Sequence, residues 1–312
     1  MIQLPECRQQ VYATESEWLD ARAGLGTASM APALFGDQAD VWGTPLSVYL
    51  RLRGGDEPFE PSIAMRAGHA MEPLIAQLFE EESGLGLQDP GDYTMQVNSS
   101  DSRLACTLDR LTDGEPAVIV EMKNVGARML THWQTDNGGP CIPLGVRIQV
   151  QHQMMVTGLT FGYVAAVLDN RELVVVPEPR NEEFITYNLR PKWLEMFEMV
   201  ELGYPPSPTA ADLGAVKAMY PNATPQTMTD LPDRAIEVAQ QWVAAKDLIK
   251  AQKLIRDEAE ASLRIMMGDV ELGRFPDGSG LGLSLLKTER KAYTSVHPAA
   301  SYRTLRAKKG LK

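Results

Sequence analysis

Apolar residues recur along this chain with two periods, and the change from one to the other marks out its elements. Up to Gly84 the spacing is helical. Ser16 in "SEWLD" is a candidate cap, and "TASMAPALFG" sets apolar side chains at helical spacing with Gly36 as the stop. "TPLSVYLRLRGG" opens with Thr44 before Pro45, a cap and first-turn pair, and closes at Gly54. Ile63, Ala67, Met71, Leu74, Leu78 and Phe79 form one apolar stripe ending before Gly84, and Pro73 is expected to kink or restart that helix after Glu72.

Beyond Gly84 the period falls to two. "YTMQV", "RLACTLD" and "AVIVEMKN" read as short strands divided by the turn-rich "NSSDS" and "LTDGEP". "PLGVRIQVQHQMMVTG" returns to helical spacing and stops at Gly158. "FGYVAAVL" and "RELVVVP" form a hairpin across Asp169-Asn170, Phe184 to Leu189 is expected as a further strand, and "RPKWLEMFEMVELG" closes the region as a helix. Helices first, then strands interleaved with helices, predict an α/β or α+β core around a mixed sheet.

Tyr204 to Asp212, "YPPSPTAAD", sets three prolines among small polar residues and is the linker candidate. It divides the chain into residues 1–205 and a C-terminal extension, 206–312. In the extension, Asp233 to Met267 is expected as one long amphipathic helix or a helical hairpin ending at Gly268. Ile236, Val243, Ile249, Ile255, Leu263 and Met266 mark its buried side. "VELGRF", "GLSLLKT" and "KAYTSV" follow as short strands.

Composition narrows the class. The 312 residues, 44% of them hydrophobic, suffice for one large domain or two modest ones. No apolar run approaches a membrane span, and "MIQLPECRQQ" has no basic region leading into an apolar stretch, so a cytoplasmic protein is expected. Cys7, Cys106 and Cys141 are scattered, against a disulfide framework or structural zinc, and the four histidines have no ligand spacing. The net charge of −11 excludes a general nucleic-acid coat protein. Its distribution is uneven: Leu285 to Lys312 holds eight basic residues and one acid, a net +7 that leaves −18 on the rest. An acidic body with a basic tail can hold a polyanion locally; the plain alternative is a solvated tail.

Candidate chemistry centres on "VIVEMKN". Residues two apart in a strand share a face, so Glu121 and Lys123 project together while Val120 and Met122 face away. Asp109 ends "RLACTLD", and pairing of the two strands brings it beside Glu121. Two carboxylates and a lysine suit a hard divalent ion, which activates water and neutralises phosphoryl charge while the lysine orients or deprotonates that water. Without a cation the carboxylates repel. Spacing alone also admits, and by itself favours, an exposed Glu–Lys pair of little worth. "GLGTAS" (Gly24 to Ser29) and "GSGLGL" (Gly278 to Leu283) complete no nucleotide-binding loop and read as turns.

Asp109 followed by Glu121-Met122-Lys123 resembles the D…(D/E)-x-K motif of the PD-(D/E)xK nuclease superfamily. Flanking segments narrow the resemblance to the lambda-exonuclease-like YqaJ family of phage recombination nucleases. "WLDARAGLGTAS" resembles its W…R-x-G-x-(T/G)-A-S signature, with Arg22, Thr27 and Ser29 falling on it. "GHAMEPLIAQLFEEESG" resembles its G-x-x-x-E-P helix and puts Glu72 on the first acidic position. "VRIQVQHQMMVTG" resembles its glutamine helix, with Gln149 and Gln151 on the glutamines. The four motifs run in order from Trp18 to Gly158.

The resemblance implies a restriction-endonuclease-like core, a mixed sheet flanked by helices. It implies Asp109 and Glu121 as Mg²⁺ ligands, with Mn²⁺ as a substitute, and the Met122 carbonyl as a further oxygen. Lys123 would orient the water, Glu72 would hold the site through a second metal, a water or the lysine, and Gln151 would position the nucleophile or a phosphate. Arg22 and Ser29, with Thr27, correspond to residues that take a terminal 5′-phosphate; Gln149 is either a further DNA contact or helix packing. His69 reads as a surface or core histidine rather than a ligand. No nucleotide is implied, and three cysteines do not make the iron–sulfur set of Cas4-like relatives. "ACTLD" departs from the family's small-residue-and-proline turn, which leaves the strand geometry at Asp109 open. The implied activity is degradation of linear duplex DNA from its ends, 5′→3′, in a phage or prophage protein of a bacterial host. A homotrimeric ring and a single-strand annealing partner are implied with it. The alternatives are an endonuclease or Cas4-like nuclease of the same fold, or a silent DNA-binding module.

Overall fold

The computed structural model describes residues 4–39, 43–54, 62–135, 137–220, 222, 226–276 and 282–284. Strand β1 (Cys7–Val11) leads into helix α1 (Glu15–Arg22). Thr14, not Ser16, is the cap, because the extended backbone a cap requires (φ −139°, ψ 157°) falls there. Its hydroxyl accepts from the Glu17 N–H at 3.3 Å, and Glu17 accepts in turn from the Ala13 N–H at 3.0 Å. Strand β2 (Gly26–Thr27) takes up part of the segment expected as a turn. A 3-10 segment, Ala31–Ala39, breaks at Gly36, where φ is 59°. Helix α2 (Pro45–Leu52) starts at Thr44 with a complete capping box.

Helix α3 (Ile63–Ser83) ends at Gly84 in the left-handed conformation, but it runs unbroken through Pro73. The proline removes the donor to the His69 carbonyl. Both residues are exposed, so water can replace that donor. The stripe is also narrower than expected. Ile75, Ala76 and Phe79 are buried, whereas Ile63 is 78% exposed because the first half of the helix projects from the core.

The strands follow as β3 (Leu87–Gln88), β4 (Thr94–Asn98), β5 (Leu104–Cys106), β6 (Arg110–Thr112) and β7 (Ile119–Val125). Helix α4 (Leu144–Thr157) stops at left-handed Gly158, and β8 (Phe161–Leu168) turns through Asp169 and Asn170, both with positive φ, into β9 (Glu172–Pro179). One sheet has the order β3-β6-β7-β8-β9, with β7 and β8 parallel and the other neighbours antiparallel. It is the expected mixed sheet flanked by helices. Ile119, Val164 and Ala166 face the core that holds α4; Val120, Met122, Ala165 and Val167 face Ile75, Ala76 and Phe79 of α3. Burial on both faces explains the near-continuous apolar runs of β7 and β8. A second sheet, β1-β4-β5-β2, packs beside α4.

Phe184 to Leu189 is not a strand. Helix α5 (Glu182–Phe184), capped by Asn181, passes through a π-turn at Ile185–Leu189 into α6 (Arg190–Leu202). Ile185, Leu189 and Trp193 are all buried at four-residue spacing, a helical stripe that outweighs the β-favouring composition of the segment. Trp193 lies flat against Gly26, where an added Cβ would come within 2.7 Å of the indole ring. The chain after Gly203 returns to α2: buried Asp212 accepts from the Thr44 and Thr209 hydroxyls, before helix α7 (Leu213–Met219).

Backbone contacts divide the chain into residues 1–219 and 220–312. In the second unit, α8 (Arg234–Met267) is one helix rather than a hairpin, and no residue of it is buried. The expected buried side is therefore not seen: Ile236, Ile249, Ile255 and Met266 are 61%, 69%, 58% and 79% exposed. Strands β10 (Leu272–Arg274) and β11 (Gly282–Ser284) pair antiparallel. "KAYTSV" and the basic tail lie outside the described residues. Among the described residues no helix is long and apolar enough to cross a membrane.

Candidate active site

Asp109 does not end the strand that precedes it. β5 stops at Cys106 in one sheet, Thr107 and Leu108 cross to the other, and Asp109 stands immediately before β6. The antiparallel register pairs Arg110 with Val120, and its continuation sets Asp109 opposite Glu121. The Met122 N–H donates to Asp109 Oδ2 at 2.8 Å, fixing the carboxylate at the strand end. The Met122 side chain turns into the α3 face of the sheet.

Glu121 is 1% exposed, so its charge needs partners, and it has three. Lys123 Nζ donates to Oε1, Gln149 Nε2 donates to the same oxygen at 2.6 Å, and Gln153 Nε2 donates to Oε2 at 2.6 Å. Burial and the Glu121 charge push the Asp109 carboxyl well above the ordinary carboxylate range, against the pull of Lys123 and the Met122 N–H. Burial alone would lower Lys123, but the charges of Glu121 and Asp109 prevail and raise its ammonium. The buried Glu121 and the half-buried Asp109, answered by one lysine, crowd negative charge at this point.

Asp109 also lines a cavity of about 260 Å³ together with Glu72, Gln149, Arg22, Thr27 and Ser29. Arg22 ends α1, Thr27 lies in β2, and Ser29 follows it, so the short parallel pairing of β2 with β5 brings this trio against the acidic strands. Arg22 Nη2 donates to Ser29 Oγ at 3.5 Å, Thr27 and Ser29 hydroxyls lie 3.3 Å apart, and the guanidinium sits 4.3 Å above the Trp18 ring. Burial, then the neighbouring Arg51, lowers Arg22 to about 10, which still leaves it cationic at neutral pH. Glu72 is held by His69 Nδ1 at 3.1 Å; His69 is a surface residue that also lines the cavity. Among the described residues no three His, Cys, Asp or Glu side chains converge closely enough to hold an ion by themselves.

Residues 17–160 match the family model of the YqaJ-like viral recombinase domain. No curated protein matches the chain. Among solved structures, the alkaline exonuclease LHK-Exo of Laribacter hongkongensis is 20% identical over 61% of this chain and 94% of its own, with a TM-score of 0.48. Its complex with dAMP gives 19% identity, the same coverage and a TM-score of 0.49. A phage-related exonuclease from Haemophilus somnus 129PT is 15% identical, over 58% and 93% of the two chains, with a TM-score of 0.42. The matched stretch carries Asp109, Glu121 and Lys123.

Within the matched stretch one expected residue stands elsewhere. Gln151 points away from Glu121: its amide donates to Glu178 Oε1 at 2.7 Å and to the Pro179 carbonyl at 2.8 Å, and its Oε1 accepts from the Asn181 N–H. A helix turns about 100° per residue, so Gln149 and Gln153, four apart, share the site face while Gln151 is carried round to β9. Gln149 thus touches Glu121 rather than merely packing in its helix, and Gln153 is the residue the sequence reading missed. Its signal was the four-residue spacing from Gln149.

Proposed function

We propose that this chain is a Mg²⁺-dependent exonuclease that degrades linear duplex DNA from its ends, 5′→3′ and with preference for a 5′-phosphate. The observation that carries the reading is a single cavity: acidic Asp109 and Glu72 share it with the Arg22, Thr27 and Ser29 trio. A guanidinium and two hydroxyls suit a terminal phosphate, and carboxylates beside them suit the scissile one.

The donor set fits a hard divalent cation. Asp109, Glu121 and the Met122 carbonyl are oxygen donors, and burial first, then the Glu121 charge, raises the Asp109 carboxyl, a penalty a bound cation would offset. A bound Mg²⁺ ion, or Mn²⁺ in its place, supplies charge neutralisation and an activated water. The chain's own groups do the rest. Lys123, as an ammonium, orients the attacking water, Gln149 and Gln153 keep Glu121 aimed, Glu72 supports the site from α3, and Arg22 anchors the strand end. Ring-shaped trimers, an annealing partner and work inside a bacterial host come from the family resemblance and complete the proposal.

The test uses linear duplexes with 5′-phosphate or 5′-hydroxyl ends beside closed circles, with Mg²⁺ and with chelator. Loss from phosphorylated ends, circles spared and chelator abolishing the reaction is expected; nicked circles would replace the reading with an endonuclease. Glu121→Ala and Lys123→Ala are expected to lower the rate by at least ~100-fold, and cleavage at the wild-type rate by both would remove the mechanism.

A further inference from the structure

We infer that Gln153 is a positioning residue that sets the spacing between the two acidic strands; the inference rests on the metal site proposed above. Its single amide nitrogen spans both arms of that site, donating to Glu121 Oε2 at 2.6 Å and to the Thr107 carbonyl at 3.3 Å. Thr107 lies two residues before Asp109, in the crossing segment between the sheets. One side chain on α4 therefore ties the β7 carboxylate to the peptide that delivers the second carboxylate.

The rest of the Gln153 environment gives no separate reason for a glutamine. The side chain is fully buried, and its Oε1 meets no hydrogen-bond donor among the described residues. A buried amide with an idle acceptor disfavours the fold, whereas an apolar side chain of the same length would fill the space without that loss. The N–H is the half of the group that has work to do, and both of its partners belong to the site. Gln149, one turn earlier, reaches the other oxygen of Glu121, so the two amides grip the carboxylate from both sides without adding charge. A neutral clamp fixes the carboxylate in direction, as ligands require from the groups behind them.

Full-length protein and a Gln153→Met variant, of similar length but without the N–H, are compared by calorimetric titration with Mg²⁺ and by the Mg²⁺ dependence of end degradation. Glu178→Gln, which alters the buried contact to Gln151 on the far side of α4, is the structural control. Gln153→Met is expected to weaken Mg²⁺ binding by about 10–100-fold, with the activity partly recovered at high Mg²⁺. Glu178→Gln is expected to lower the melting temperature and leave the Mg²⁺ affinity within about twofold of wild type, inside normal measurement scatter. Unchanged Mg²⁺ affinity in a folded Gln153→Met would overturn the inference. Where that variant does not fold, Gln153→Asn, which keeps the N–H but shortens the reach, carries the same comparison. Wild type that binds Mg²⁺ but spares DNA ends overturns only the nuclease reading; wild type that binds no Mg²⁺ overturns both.

Discussion

His152 shows how completely the interior dictates a protonation state. It sits between Gln151 and Gln153, fully buried, where Trp193 Nε1 donates to its Nδ1 at 3.0 Å. Nδ1 is therefore the acceptor, and Nε2 carries the hydrogen that faces the Ala105 carbonyl at 3.0 Å. Burial disfavours the charged form and outweighs the pull of the Ala105 carbonyl, so the imidazole is lowered to about 4; a second proton would in addition face the Trp193 N–H. The folded state then binds fewer protons than the unfolded state between that value and the ordinary 6.5. Stability from this group is complete above pH 6.5 and is lost as pH falls toward 4. From pH 7 to pH 5 the loss is about 2 kcal/mol, visible as a lower urea midpoint. His152→Gln, whose amide can also donate and accept, should remove that part of the pH dependence.

At the scale of elements, α4 divides its glutamines by face. Gln149 looks into the cavity and Gln151 looks toward β9, so replacing them should affect different measurements. Gln149→Ala takes a hydrogen bond from Glu121 and is expected to reduce end degradation by ~100-fold with little change in melting temperature. Gln151→Ala strips the amide from buried Glu178 and is expected to cost about 1–3 kcal/mol of stability in denaturant titration, with activity near wild type below the transition. The same geometry explains what was legible here. A helix over Leu144–Thr157 and its stop at Gly158 follow from periodicity and glycine. Which glutamine meets Glu121 depends on how the helix is rotated against β7, and only packing sets that rotation. The segment Phe184 to Leu189 failed for a related reason: read alone it favours a strand, and its four-residue stripe shows only when Trp193 is counted with it.

Across the molecule, the site lies wholly within residues 1–219. The cavity, both sheets and the Thr44–Asp212 tie all belong to that unit. A chain ending at Met219 is therefore expected to unfold as one cooperative transition and to bind Mg²⁺ as the full chain does, checked by calorimetry. Failure of the shortened chain to fold would show that 220–312 completes the core. Local chemistry accounts for much of this unit: the capped starts at Thr44 and Ser62, the left-handed stops at Gly84, Gly158 and Gly203, and the hairpin at Asp169-Asn170. Each is set by neighbours in the chain, where side-chain hydrogen bonds and positive φ act over a few residues.

The sequence by itself therefore determined most of the element types, the Glu121–Lys123 pair on one face of "VIVEMKN", and the Asp109 that answers it. It also placed Arg22, Thr27 and Ser29 in the same account, through the order of motifs. Only tertiary structure decided that Asp109 enters from between two sheets, that Gln153 rather than Gln151 serves Glu121, and that Pro73 leaves α3 whole. The reason is physical: hydrogen-bonded turns and strand alternation act between neighbours, while the rotation of a helix, the crossing of a chain between sheets and the exposure of a freed carbonyl are fixed by residues far away in sequence. "VIVEMKN" carries its chemistry in its letters, but its partners were chosen by packing.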